Sequence, residues 1–218
     1  MKKVILILPF LLLIGLGFLL AQDTKYEQVM RENLQSIGQA KSVADWQNIA
    51  NKFERIATMK PQEWLPNYWA GFCYTIMSFD EPERIKKDQY ADQAEKFWQN
   101  IQSQNIDNDE VMVLKAFIAQ AKLSADPMSR WQSQGPIFQE YLTKAQSANP
   151  ENPRVYLLQG QNTYYTPEAF GGGKNNALPL LKKAQEKFAT YKSPSSIHPN
   201  WGENNLKTLL ATYEVSKN

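Results

Sequence analysis

Apolar residues return at every third or fourth position through most of the chain beyond residue 21, the spacing of helices that each bury one face. Tyr26, Val29, Met30, Leu34 and Ile37 predict a first helix closed by Gly38, and Trp46, Ile49, Phe53 and Ile56 a second, ended by Lys60 and Pro61. A third begins at Glu63 or Trp64, carries Trp69, Phe72 and Ile76, and breaks at Asp80-Glu81-Pro82. The fourth covers about residues 85–102, with Ala94, Trp98 and Ile101 on its apolar side. Asn108 is placed to cap a fifth, whose Val111, Leu114 and Ile118 run up to Asp126-Pro127. A long connection over residues 128–136 then leads to a sixth helix with Phe138, Leu142 and Ala145. Alternating apolar and polar runs are absent, so the prediction is all-α with about nine helices and no strand.

The clearest helix pair lies in residues 149–184. Asn152 suits an N-cap and Pro153 the first helical position, where no amide bond is lost. Val155, Tyr156, Leu158 and Gly160 follow at helical spacing. Pro167 and the glycines 171–173 end that helix. Asn176 is expected to cap the next one, with Pro179 in its first turn and Leu178, Leu181, Ala184 and Phe188 as its stripe. The turn between the two helices is expected to be ordered, with Phe170 buried against the body and Gly172 at a positive φ. Beyond residues 192–196, His198 is expected to cap or pack against a last helix carrying Leu206, Leu209, Leu210 and Tyr213.

Spacing within these pairs resembles the tetratricopeptide repeat, a helical hairpin of about 34 residues with a small residue where its helices touch. Gly71 and Gly160 fall at that small position, and Lys115 replaces it in the third pair. Three connections are longer than the repeat allows. The fold read from this resemblance is a tetratricopeptide-like (TPR-like) array of hairpins closed by a C-terminal capping helix. The phrases at residues 149–156, 165–174 and 198–202 resemble a family of small exported tetratricopeptide-like proteins of Gram-negative bacteria. That resemblance implies the fold, export and a protein-binding role, and it carries over no catalytic residue. First helices of such repeats line a concave face. The corresponding positions here hold Tyr68, Phe72, Met112, Leu157, Gln161 and Tyr164, with Arg154 at the rim. They form a candidate groove for a protein or peptide; the rival expectation is a groove filled by the chain's own C-terminal helix or a loop.

Lys2 and Lys3, an apolar run over residues 4–20 and Ala21 form a secretory signal pattern. The expected division is a signal peptide over 1–21 and one helical domain over 22–218, exported to the periplasm or beyond. An uncleaved membrane anchor is the alternative. Without Lys2 and Lys3 the chain has 22 basic and 22 acidic residues, a balance that argues against nucleic acid or an anionic membrane surface as partner. Cys73 is the only cysteine, which excludes an internal disulfide and fits a core position.

No constellation of residues points to a reaction. Gly171-Gly172-Gly173-Lys174 lacks the upstream glycine and the following Ser or Thr of a phosphate loop, and a helix rather than a strand precedes it. His198 is the only histidine, with no metal-ligand spacing around it. The expectation is therefore a non-enzymatic scaffold without cofactor or metal that binds a protein or peptide; a small-molecule-binding accessory protein is the alternative.

Overall fold

The computed structural model describes residues 24–215; the expected signal peptide lies outside them. Among the described residues there are nine α-helices and no strand. They are α1 (24–37), α2 (Val43–Met59), α3 (Trp64–Asp80), α4 (Arg84–Gln102), α5 (Asp109–Ala125), α6 (Pro127–Ala148), α7 (Pro153–Tyr165), α8 (Lys174–Thr190) and α9 (Glu203–Val215). A single 3-10 turn, Glu168–Phe170, lies between α7 and α8. No helix among these residues is long and apolar enough to cross a membrane.

Helices α3–α4, α5–α6 and α7–α8 form successive hairpins, and α2 packs on α3. The first helices, α3, α5 and α7, also touch one another in sequence and form an inner layer. Their composition explains the place. Residues 65–75 of α3 are buried without interruption, and α5 and α7 are buried on most of their circumference. Helices apolar all round belong in an interior. The outer helices bury only narrow stripes: Ala91, Ala94 and Ile101 in α4; Phe138, Leu142 and Ala145 in α6; Ala177, Leu181 and Ala184 in α8. Cys73 is fully buried in α3.

Capping residues set several helix starts. The Asn108 side chain accepts from the Val111 amide at 3.0 Å, and Asn152 from the Arg154 amide at 3.0 Å. Asp126 does the same for α6, and Pro127 follows it in the first turn. That cap removes the expected long connection: residues 128–136 are helical, and Pro136 lies inside α6 at an exposed position. The added turns are fastened by Arg130, which donates to both Asp88 oxygens of α4 at 2.5 and 2.7 Å. α8 differs from expectation too. Gly173 is its N-cap, Pro179 lies inside the helix, and Asn176 instead donates to the carbonyls of Gly171 and Gly172.

Gly160 is the tightest helix contact. A Cβ there would stand 2.6 Å from Leu181 Cδ2 and 2.9 Å from its Cγ, so α7 and α8 meet too closely for a side chain. The equivalent Cβ on Gly71 would meet Leu114 Cδ2 at 3.3 Å, a milder crowding. Lys115, at the same register in α5, fills its place productively: Nζ pairs with Glu95 and sits 4.5 Å from the Trp98 ring centroid. Gly160→Ala should therefore cost about 1–3 kcal/mol, the usual range for overpacking a filled core. Gly71→Ala should cost less. Urea melts compare the two, and equal midpoints for both variants and the parent would contradict this packing.

Candidate ligand-binding site

Residues 191–202, between α8 and α9, contain no helix, yet they cross the inner layer and are held to it by side chains. Trp69 Nε1 donates to the Ile197 carbonyl at 2.8 Å. Trp201 Nε1 donates to the Tyr68 hydroxyl at 2.8 Å, while its indole stacks on Phe117, with centroids 5.1 Å apart and planes at 20°. Phe72 flanks the same indole at 5.1 Å. Ile197 is buried as part of the core. This strap therefore occupies the middle of the face where a groove was expected.

Beneath it lies a charged core. Arg154 in α7 is fully buried and grips Glu110 of α5: Nε donates to the two carboxylate oxygens at 2.9 and 3.1 Å, and Nη2 donates to Oε1. Asn152 Nδ2 donates to Glu110 at 2.8 Å and to Asp109 at 2.9 Å. The Tyr68 and Tyr191 hydroxyls donate to Glu110 at 3.4 and 3.3 Å. Tyr191 and Trp201 of the strap face the guanidinium at 4.8 and 5.8 Å. Burial pushes the Glu110 carboxyl above its ordinary range, against the opposing pull of Arg154. Burial beside Glu110 also pushes the Tyr191 phenol up to about 12, so it stays protonated and able to donate.

This arrangement sorts the seven expected groove residues. Tyr68, Phe72, Arg154 and Leu157 are buried, and Arg154 is a core residue rather than a rim residue. Met112, Gln161 and Tyr164 keep partial exposure. Gln161 Nε2 donates to Asn205 at 2.5 Å, and the Tyr164 hydroxyl pairs with Thr212 at 3.2 Å, so α9 covers part of α7. His198 packs its ring on Trp64 at the start of α3, 5.7 Å between centroids, rather than on the last helix; its Nδ1 bonds Ser195 Oγ at 2.7 Å. Burial lowers its pKa from the ordinary histidine value.

What the strap leaves uncovered is the C-terminal end of α7. Tyr164 contacts Tyr165 at 5.0 Å and Tyr213 at 6.1 Å, and Lys174 Nζ stands 5.8 Å from the Tyr164 ring centroid. The following turn is tightly bonded: Gly173 N–H donates to Thr163 O at 2.9 Å, Gly172 N–H to Pro167 O at 3.2 Å, and Phe170 N–H to Pro167 O at 2.9 Å. The expected burial of Phe170 is overturned, since it is 75% exposed, and Tyr165 is 73% exposed. Main-chain bonds, not a seat for the Phe170 ring, order the turn. Positive φ belongs to Gly171 and Gly173; Gly172 is required because a Cβ would stand 2.1 Å from Thr166 O. Phe170 belongs to no helical stripe, and that was the sequence signal for its exposure.

No group of three or more His, Cys, Asp or Glu suited to a metal ion occurs among the described residues. A polar cleft of about 280 Å³ lies among Asp88, Asp92, Lys122 and Arg130, where the cations are already paired with the carboxylates. Removing the Arg154 charge should expose how much depends on the buried pair. Arg154→Met leaves Glu110 buried without its partner and should destabilise by about 3–5 kcal/mol. Denaturant melts check this, and a change under about 0.5 kcal/mol, typical of surface substitutions, would contradict it.

No family model matches the sequence, and no curated protein matches it. The fold is similar to the solved structure of the HusA haemophore from Porphyromonas gingivalis, with a TM-score of 0.77 and 30% sequence identity. The match covers 88% of this chain and 94% of that one. It corrects the expectation of a protein or peptide as the ligand, because the relative is a haemophore. With that identity sustained over nearly all of both molecules, the chain belongs to the family of the HusA haemophore.

Proposed function

We propose that the chain is an exported, non-catalytic carrier of a haem-type ligand. The observation that carries this reading is the near full-length relationship to a haemophore. The amino-terminal pattern of Lys2, Lys3, an apolar run and Ala21 supports export, with residues 22–218 as the working domain.

Haem presents a flat apolar ring, an iron and two carboxylates. A protein that carries it without transforming it needs aromatic faces, a fixed frame and polar groups at the edge, not a general acid or base. The frame here is the inner layer locked by its strap. Tyr165 and Phe170 are exposed at the end of α7 and in the turn after it, and Lys174, exposed at the start of α8, stands by the half-buried Tyr164 ring. Large aromatic groups held in solvent by an ordered turn mark a binding surface more readily than a folding requirement.

Titration of the chain from residue 22 with ferric haem tests the reading. The expected result is one saturable site with an absorption band displaced from that of free haem. A spectrum that stays that of free haem at protein excess would contradict it.

A further inference from the structure

We propose that His198 is a pH-sensitive latch on the strap: the neutral imidazole holds residues 195–199 against α3, and its protonation releases them. The latch governs access to the aromatic inner layer, whatever ligand the chain carries.

His198 is the chain's only histidine, the side-chain type that ordinarily changes charge between about pH 5 and 8. It is half-buried and stands between Ile197 and Pro199, both buried. The Ile197 carbonyl accepts from Trp69 Nε1 at 2.8 Å, and the His198 ring packs edge-on against Trp64, with centroids 5.7 Å apart and planes at 75°. Trp64 in turn meets Tyr68 at 5.8 Å, and Tyr68 meets Trp69 at 5.5 Å. The histidine therefore closes one end of a row of rings on α3, next to the main-chain bond that ties the strap to that helix.

The hydrogen bonds around the ring select its neutral form. Ser195 Oγ accepts from the Ile197 amide at 3.3 Å, which leaves its hydroxyl proton to donate to His198 Nδ1 at 2.7 Å. Nδ1 is then the acceptor and Nε2 carries the proton. Protonation of Nδ1 puts two hydrogens between these atoms, and the Ser195 hydroxyl must turn away. The imidazolium is also poorly compensated. Asp109, at the start of α5, is the acidic group that acts on the ring, and its carboxylate already accepts from Asn149 at 2.8 Å and Asn152 at 2.9 Å. On α3, Glu63 precedes Trp64 and acts on Tyr26 of α1. Burial holds the His198 pKa below its ordinary value of about 6.5, with Asp109 pulling the other way. Closure therefore favours the neutral ring. Its contribution to holding the strap is complete above about pH 6.5 and is lost progressively as the pH falls below that.

The other fastening of the strap, Tyr191 and Trp201 on the Arg154–Glu110 pair, also contains a titratable group, the Glu110 carboxyl. A His198→Phe variant separates the two, since it keeps a ring against Trp64 without a titrating nitrogen. Magnetic resonance spectra of the labelled parent and of this variant, followed from about pH 8 to about pH 5, test the latch. In the parent the His198 ring should titrate with a midpoint below about 6.5. The Trp69 indole N–H signal should shift with the same midpoint, and on its acid side should lose protection from exchange relative to free indole at the same pH. The variant should show no such step. A parent indole unmoved through the histidine titration overturns the latch, as does a histidine midpoint at or above about 6.5. The same indole step in His198→Phe also overturns it and assigns the step to Glu110. The parent titration alone decides the matter if the variant does not fold.

Discussion

A guanidinium and a carboxylate taken out of water together cost several kcal/mol each, and only close geometry with further hydrogen bonds offsets that. Arg154 and Glu110 meet the condition. Arg154 spends Nε and Nη2 on the carboxylate, and Glu110 also accepts from Asn152, Tyr68 and Tyr191. Those donors come from α3, from α7 and its cap, and from the strap, and they converge on a carboxylate of α5, so one buried pair fixes the mutual position of all three inner helices and of the chain that crosses them. Apolar packing alone would tolerate sliding between helices. A carboxylate with donors arriving from four directions does not.

The consequence for function is a closed inner face. Trp201 fills the space between Phe72, Phe117 and Tyr68, where an open array would receive a ligand. Exposed aromatic side chains remain at Trp131 in α6 and at Tyr165 and Phe170 around the end of α7. The relationship to a haemophore runs over 88% of this chain.

Much of the helical frame was legible in the sequence because local chemistry determines it. Asn108 and Asn152 cap the helices they were expected to cap, and the Phe138, Leu142 and Ala145 stripe is the buried face of α6. Local chemistry also misled where two signals competed. A long connection was expected over residues 128–136, but the Asp126 cap and the Arg130–Asp88 pair hold a helix there. Arg154 was assigned to a rim by its position in the repeat pattern. Its burial depends on Glu110, 44 residues earlier, a pairing that periodicity does not encode. The strap was illegible for the same reason: residues 192–200 have no helical period, and Trp69 lies 128 positions before the carbonyl it holds. Phe170 was expected inside on hydrophobicity alone, whereas backbone bonds already satisfied the turn and left the ring free.

The buried Arg154–Glu110 pair holds the strap closed across α3, α5 and α7. Hydrogen exchange of the indole N–H groups in the parent chain and in Arg154→Met tests this most directly. The expected result is slow exchange of the Trp69 and Trp201 indoles in the parent and loss of that protection in the variant. Equal protection of both indoles in the two proteins would contradict it.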